Sequence, residues 1–308
     1  MRLRIGVLLS VIAVAVAAWY MTRPAPPPPR PMAATPVPPV GTITELAPHL
    51  YVVPGGGCNT TVFVTRSGVL LVDTKYPASW DDLLAQIRSV TDKPITHVIN
   101  THSHGDHSAG NGKLPAGTRV VVQAFTARAF REMPPPDGEV GPGTRLGTTP
   151  EVFDRDLTLF DGDDAIDLYY LGPAHTGGDA FVRFRSARVL VVGDVMPDKA
   201  LPSIVLEGGG NGSSFAGVVA RAAAIPDVDR IVTGHGGVLP QNELARYADL
   251  HQRLLDYVRA NMHMGADKNA VFKAFHAPDR FEDFDLSRQF NTMDEIDRSL
   301  RPWWQRIW

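Results

Sequence analysis

With one cysteine, Cys58, in 308 residues the chain can form no internal disulfide, in whatever compartment it works. The scarcity of thiols also argues against an iron–sulfur centre or a closed Cys-rich structural metal site. There is no excess of charge: 30 basic against 33 acidic residues leave −3, which predicts no general affinity for nucleic acid. A Gly-x-Ser-x-Gly nucleophile elbow is missing. So is the Gly-Lys-Ser/Thr that would turn the glycine-rich Pro54–Asn59 stretch into a phosphate cradle. Cys58 lies in that stretch, between two strand-like segments, and reads as a small buried or loop-edge thiol rather than a nucleophile.

What the chain does have is 44% hydrophobic residues, enough for one large core or two small ones. The first forty residues stand apart from that core. Arg2 and Arg4 precede an uncharged, apolar run from Ile5 to Met21, followed by Thr22 and Arg23. That is the order of a secretory signal or a signal anchor, the reading given to residues 1–23. The Ala-rich Val14–Ala18 segment offers a cleavage site, whereas the proline-dominated Pro24–Pro39 tract favours retention. As a polyproline spacer that tract would extend roughly 50 Å. Residues 24–41 are therefore the linker and 42–308 the folded domain. A basic N-terminus stays in the cytoplasm, so the domain is expected outside it. It would be exported, in the periplasm, either soluble or tethered to the inner membrane through residues 5–21.

The densest chemistry is Thr101-His102-Ser103-His104-Gly105-Asp106-His107, three imidazoles and a carboxylate within seven residues. Imidazole and carboxylate together suit a borderline divalent ion, zinc above all. His102 and His104, two apart after the apolar Ile99, point the same way and can reach one ion. Asp106 and His107 turn toward a neighbouring position, which leaves room for a second. Three later segments repeat one pattern, an apolar strand followed by a small-residue loop with one potential ligand. The strand Asp167–Leu171 leads to His175, Arg188–Val192 leads to Asp194, and Arg230–Thr233 leads to His235. Loops at strand ends are where a rigid sheet fixes ligand geometry.

This set, HxHxDH followed by His, Asp and His, resembles the metallo-β-lactamase superfamily from about Thr42 to the last helix. The resemblance implies that His102, His104 and His175 hold one ion, that Asp106, His107 and His235 hold a second, and that Asp194 bridges them. It further implies Zn2+, two per chain, with iron or manganese as substitutes. The attacking group would be a water shared by the ions, with Asp106 orienting it and passing its proton to the leaving group. An Asp at position 194 is similar to the glyoxalase II-like thioesterases, lactonases and several phosphodiesterases; β-lactamases proper carry Cys or Ser there. Ala174 departs from the thioesterase pattern, which has Gly, and there is no recognisable glutathione cluster or β-CASP insertion. The expected function is hydrolysis of a small-molecule carboxyl derivative: an ester, lactone, thioester or β-lactam. Alternatives are a β-lactamase proper, an iron-dependent persulfide dioxygenase-like oxidoreductase, and a non-catalytic metal-binding partner protein.

Periodicity predicts an α+β architecture: two mixed β-sheets face to face with helices outside, a four-layer αβ/βα sandwich. Strands are expected at Leu50–Val53, Thr61–Thr65 and Val69–Asp73 as a meander, then at Ile95–Asn100 and Arg119–Val122. A second set is expected at Val152–Phe160, Ile166–Leu171, Ala180–Phe184, Val189–Val192 and Arg230–Thr233. Helices are expected over Ser79–Val90, capped by a Ser79–Asp82 box, and over Ala124–Arg131, Ser213–Ala224, Asn242–Asn261 and Phe290–Leu300. Met133–Gly147 reads as a loop near the site entrance. Tyr76, Lys199, Asn211 and the Gly208–Gly212 loop are candidates for touching substrate. His97 is expected in the core or at the surface, or behind a ligand, and His251 and His263 in solvent. Trp303, Trp304 and Trp308 are expected to cap the core, ahead of lining the pocket or contacting a membrane.

Overall fold

The computed structural model describes residues 37–132, 149–263 and 266–301. The apolar N-terminal segment, the proline tract up to Pro36, the Met133–Gly147 loop and the C-terminal tryptophans lie outside the described residues. None of the described helices is long and apolar enough to cross a membrane.

Among the described residues thirteen strands form two sheets. The first contains β1 (Thr44–Ala47), β2 (Leu50–Val53), β3 (Thr60–Val64), β4 (Val69–Val72), β5 (Ile95–Ile99), β6 (Arg119–Gln123) and β7 (Glu151–Phe153), side by side in that order. The β1–β4 pairs are antiparallel and the β4–β7 pairs parallel. The second sheet runs β13 (Val238–Pro240), β12 (Arg230–Thr233), β11 (Val189–Gly193), β10 (Ala180–Phe184), β9 (Ile166–Tyr170), β8 (Asp156–Leu159), with β11 and β12 parallel. Parallel neighbours need crossover helices, and these supply the outer layers.

Three apolar clusters account for the four layers. Between the sheets, Leu70, Val72, Ile99 and Val121 of the first meet Leu168, Val182, Val191 and Val232 of the second. Behind the first sheet, Leu71, Val98 and Val122 cover α1 (Trp80–Arg88) and α3 (Ala124–Glu132) through Leu83, Ile87 and Phe130. Behind the second, Leu190, Val192 and Ile231 meet α4 (Gly212–Ala223), α5 (Asn242–Asn261), α6 (Lys268–Ala274) and α7 (Gln289–Leu300). Both faces of β4 and β11 are buried, which is why their sequences are unbroken apolar runs rather than alternations.

Several expectations need correction. Val152–Phe160 is not one strand: Glu151–Phe153 ends the first sheet and Asp156–Leu159 begins the second. Phe153 and Leu159 enter the same inter-sheet core from opposite sheets, so alternation alone did not reveal the crossing. The Ser79 capping box does not form. Pro77–Ser79 is a 3-10 turn running into α1, which leaves Ser79 near φ −93°, ψ 1° with no side-chain cap bond. The short β1, β13 and α6 were not anticipated, nor was α2 (Gly105–Ser108) inside the metal motif. His251 is not in solvent; it is buried in the helical layer against Phe215 and Tyr247.

Candidate metal centre

All seven anticipated donors follow β5, β9, β11 and β12 at one edge of the sandwich, Asp106 and His107 on α2 and the other five on loops. They fall into two groups that share one carboxylate. In the first, the Nδ1 of His104 lies 3.0 Å from both His102 Nε2 and His175 Nε2, with Asp194 beside them. In the second, His107 Nε2 stands 3.2 Å from Asp194 Oδ1 and 3.6 Å from Asp106 Oδ2. There His235 Nε2 lies 3.1 Å from Asp194 Oδ1 and 3.5 Å from Asp106 Oδ2. His102 and His104 do meet at one point, although the chain has left the strand by then and His104 sits at the N-cap of α2.

Donor chemistry fits metal ions better than hydrogen bonds. With two imidazole nitrogens each 3.0 Å from the single Nδ1 of His104, the three cannot all be satisfied by protons they share. Ligands about 2.0–2.1 Å from a tetrahedral ion would stand about 3.3 Å from one another, close to this spacing. The buried His107 Nε2 and Asp194 Oδ1 lie 3.2 Å apart, yet among the described residues neither makes a well-aligned hydrogen bond. Such orphans are rare in folded proteins unless an ion or water meets them. Asp194 Oδ1 stands between His107 and His235, and its Oδ2 lies 3.2 Å from His235 and 3.7 Å from His175 of the other group, so the carboxylate belongs to both.

Electrostatics point the same way. Burial pushes the His102 imidazole well below its ordinary value, aided by His107, His104 and His175, so it is a neutral donor. Burial also works against an imidazolium at His107, but Cys58, Asp194, Asp106 and Asp73 together raise it well above the ordinary value. For Asp194 burial pushes upward, and the surrounding histidines, His107 first, more than reverse it, leaving the carboxyl well below its usual range. A pocket of this kind rewards positive charge, which a divalent ion supplies without protons.

The histidines are held from behind. His107 Nδ1 is 2.7 Å from Asp73 Oδ2, at the end of β4, and Asp73 also accepts from Thr101 N at 2.8 Å and Thr101 Oγ1 at 2.7 Å. Asp73 adopts a left-handed φ of 65°, a strained backbone of the kind kept at functional sites. His175 Nδ1 donates to Ser203 O at 2.5 Å and His235 Nδ1 to Gly57 O at 2.8 Å. Asp179 fixes the His175 loop by accepting from Thr176 N and Oγ1. The glycine loop that receives His235 is clamped by Lys75, whose buried ammonium donates to Val53 O, Gly55 O and Cys58 O at 2.8, 2.7 and 2.5 Å. Burial pushes that ammonium down to about 8, with Cys58 and Asp73 opposing. Gly57, at φ +125°, is needed there: a Cβ would lie 3.0 Å from Asp106 O and 3.1 Å from the Tyr76 ring.

Other candidates fare differently. Tyr76 does border the site beside Gly57 and Asp106. Lys199 instead pairs with Asp283 and Glu243, and Asn211 caps α4 by accepting from Ser213 N. Gly209 and Gly210 pack on Gly177, Phe125 and the His175 backbone. His97 contacts Thr96 and Phe160, not a ligand. Cys58 is buried within reach of His107 and Asp73. Asp73 and Lys75 escaped the sequence reading as supports. The only trace was their place directly after an apolar strand, where a turn is unremarkable.

Comparison with known proteins agrees with this geometry. The profile of the metallo-beta-lactamase superfamily matches residues 53–235. Human metallo-beta-lactamase domain-containing protein 1 is 30% identical over 191 residues, covering 51% of this chain and 70% of the human protein. Its Xenopus laevis counterpart is 32% identical over 123 residues, 37% of this chain and half of that protein. Among solved structures, the sec-alkylsulfatase Pisa1 from Pseudomonas sp. shares the fold at a TM-score of 0.70 and 15% identity. That match covers 85% of this chain but spans only half of the sulfatase. The DIM-1 metallo-beta-lactamase matches at a TM-score of 0.57 and 17% identity, over 71% of this chain and 99% of its own. Profile, relatives, sheet order and shared-carboxylate cluster agree, and the chain belongs to the metallo-beta-lactamase superfamily.

Proposed function

We propose that the protein is a binuclear zinc-dependent hydrolase of a small carboxyl derivative, an ester, lactone, thioester or β-lactam. The observation that carries the reading is the shared carboxylate. Asp194 belongs to two donor groups at once, and the buried atoms left without a hydrogen bond, His107 Nε2 and Asp194 Oδ1, lie together in one of them. His102, His104 and His175 would hold one ion and Asp106, His107 and His235 the other, with Asp194 between. Bound there, the ions supply Lewis acidity and a water acidified from about 15.7 toward about 7.

The chain's own residues do the rest. Burial grades across the site: His102, His107 and His175 are almost fully enclosed, whereas the Asp106 and His235 side chains are 20% and 35% exposed. Substrate enters on that rim. Asp106, a carboxylate at the mouth, orients the attacking water and carries its proton to the leaving group. Asp73 keeps the His107 ring fixed, so that the site is assembled before substrate arrives. The apolar run 5–21 supports export, with the domain soluble in the periplasm or tethered to the inner membrane. Fractionation of cells by compartment tests that part.

The decisive test combines metal analysis with a substrate panel of nitrocefin, an aryl ester, a thioester, a lactone, a bis-aryl phosphate and a sulfate ester. Two zincs and turnover of a carboxyl derivative are expected. His102→Ala and Asp194→Ala should lower activity and metal content together; full activity with stoichiometric metal in either would overturn the assignment. Iron with oxygen uptake would favour a redox enzyme, and intact metal without turnover a binding protein.

A further inference from the structure

Four of the site histidines turn Nδ1 away from the donor clusters, and their partners are unequal; His102 has the Thr101 hydroxyl at 3.1 Å. His107 is backed by a carboxylate and His235 by a backbone carbonyl. His175 is backed by the Ser203 carbonyl, but the same peptide unit is engaged at its other end. The Ile204 N–H donates to Glu295 Oε2 at 2.9 Å. Glu295 lies on α7, in the outer helical layer, with its side chain 15% exposed and its Oε1 3.7 Å from Arg288. The loop is tied down around this unit: Val205 N donates to His175 O at 2.9 Å, and Thr292 Oγ1 on α7 to Pro202 O at 3.3 Å.

We propose that Glu295 is a positioning residue for the His102–His104–His175 site, acting on His175 through the single peptide unit Ser203–Ile204. A carboxylate accepting from the N–H pushes electron density through the amide onto its carbonyl oxygen and makes that oxygen a stronger acceptor, because linked hydrogen bonds in a low-dielectric interior reinforce one another. The stronger acceptor fixes the ring with Nδ1 protonated and Nε2 free, and raises the basicity of Nε2. That is the role a directly bonded carboxylate plays behind many metal-binding histidines. His107 has the direct form in Asp73; His175 has the same arrangement with a peptide inserted. The tie also couples α7 to the sheet edge, although the two share no sequence neighbourhood. The inference rests on the reading of His175 as a metal ligand.

The test uses the full chain, with Glu295→Gln removing charge at nearly constant shape and Arg288→Gln removing the opposing charge. In the metal-free protein, the His175 Nδ1 proton followed by nitrogen-15 NMR should move upfield in Glu295→Gln and downfield in Arg288→Gln. The protons held by Asp73 and Gly57 should stay in place. With cadmium-113 as probe, the three-histidine site should weaken about three- to tenfold in Glu295→Gln while the other is unchanged. If Glu295→Gln does not fold, the downfield shift in Arg288→Gln alone decides. An unmoved His175 proton with wild-type affinity, or all imidazoles moving together, overturns the proposal. A wild-type chain that binds neither cadmium nor zinc overturns instead the metal-centre reading beneath it.

Discussion

Helix α5 carries an imidazole that gains nothing from its polarity. His251 is 1% exposed, and neither ring nitrogen has a hydrogen-bond partner among the described residues. Its ring lies 4.3 Å from Phe215 and 4.6 Å from Tyr247. In His251→Leu, removing a buried unsatisfied polar group should return about 1–3 kcal/mol. Two lost aromatic contacts cost about 0.5–1.5 kcal/mol each, so the net change at neutral pH is near zero. The pH dependence is the sharper test. Burial lowers His251 from 6.5 to about 3 in the folded chain. The unfolded chain therefore takes up this proton first, and stability is full above pH 6.5 and falls steadily as pH drops toward 3. The slope is about 1.4 kcal/mol per unit, so near pH 5 the wild type has lost about 2 kcal/mol through this one group. His251→Leu has no such loss. Urea unfolding of the metal-free chains at about pH 7.5 and about pH 5 measures it, since the other histidines titrate alike in both chains and cancel in the difference. The stability of His251→Leu relative to wild type should rise by about 2 kcal/mol on acidification. A difference equal at both pH values would refute the reasoning.

Three further outcomes follow from the site. Asp73→Asn keeps an acceptor for His107 but removes its charge, and should weaken the Asp106–His107–His235 site about 10–100-fold in a cadmium titration; unchanged affinity would contradict the role given to Asp73. Gly234→Ala places a Cβ 2.0 Å from Asp194 Oδ1, so the shared carboxylate must move. Metal content at both sites and turnover should fall together, and a fully loaded, active variant would show that Asp194 does not bridge. Lys75→Met leaves two buried carbonyls and one half-buried carbonyl without their donor and should cost about 2–4 kcal/mol in urea unfolding, a loss below about 1 kcal/mol showing the clamp to be dispensable.

The donors were legible because metal chemistry restricts residue types and each follows an apolar strand. His102 to His107, His175, Asp194 and His235 could therefore be picked out without knowing which strands are neighbours, and the structure brings all seven together. The same strands announced two sheets with helices outside. Their supports carry no such mark. Asp73 and Lys75 look like turn residues, Glu295 like one more acid on an amphipathic helix, and His251 like a solvated histidine. Period-two alternation says which side of a strand is buried but not which sheet the strand joins, and so Val152–Phe160 concealed a crossing from one sheet to the other.

By itself, then, the amino-acid order determined the kinds of donor, their attachment to strand ends and the layered class of the fold, since these depend on residue chemistry and local period. Only the tertiary structure decided that Asp194 faces both groups, that Asp73 and the Ser203–Ile204 peptide stand behind the histidines, and that His251 is shut away from water. Those are contacts between segments tens to nearly a hundred residues apart, set by how two sheets and their helices close on one core.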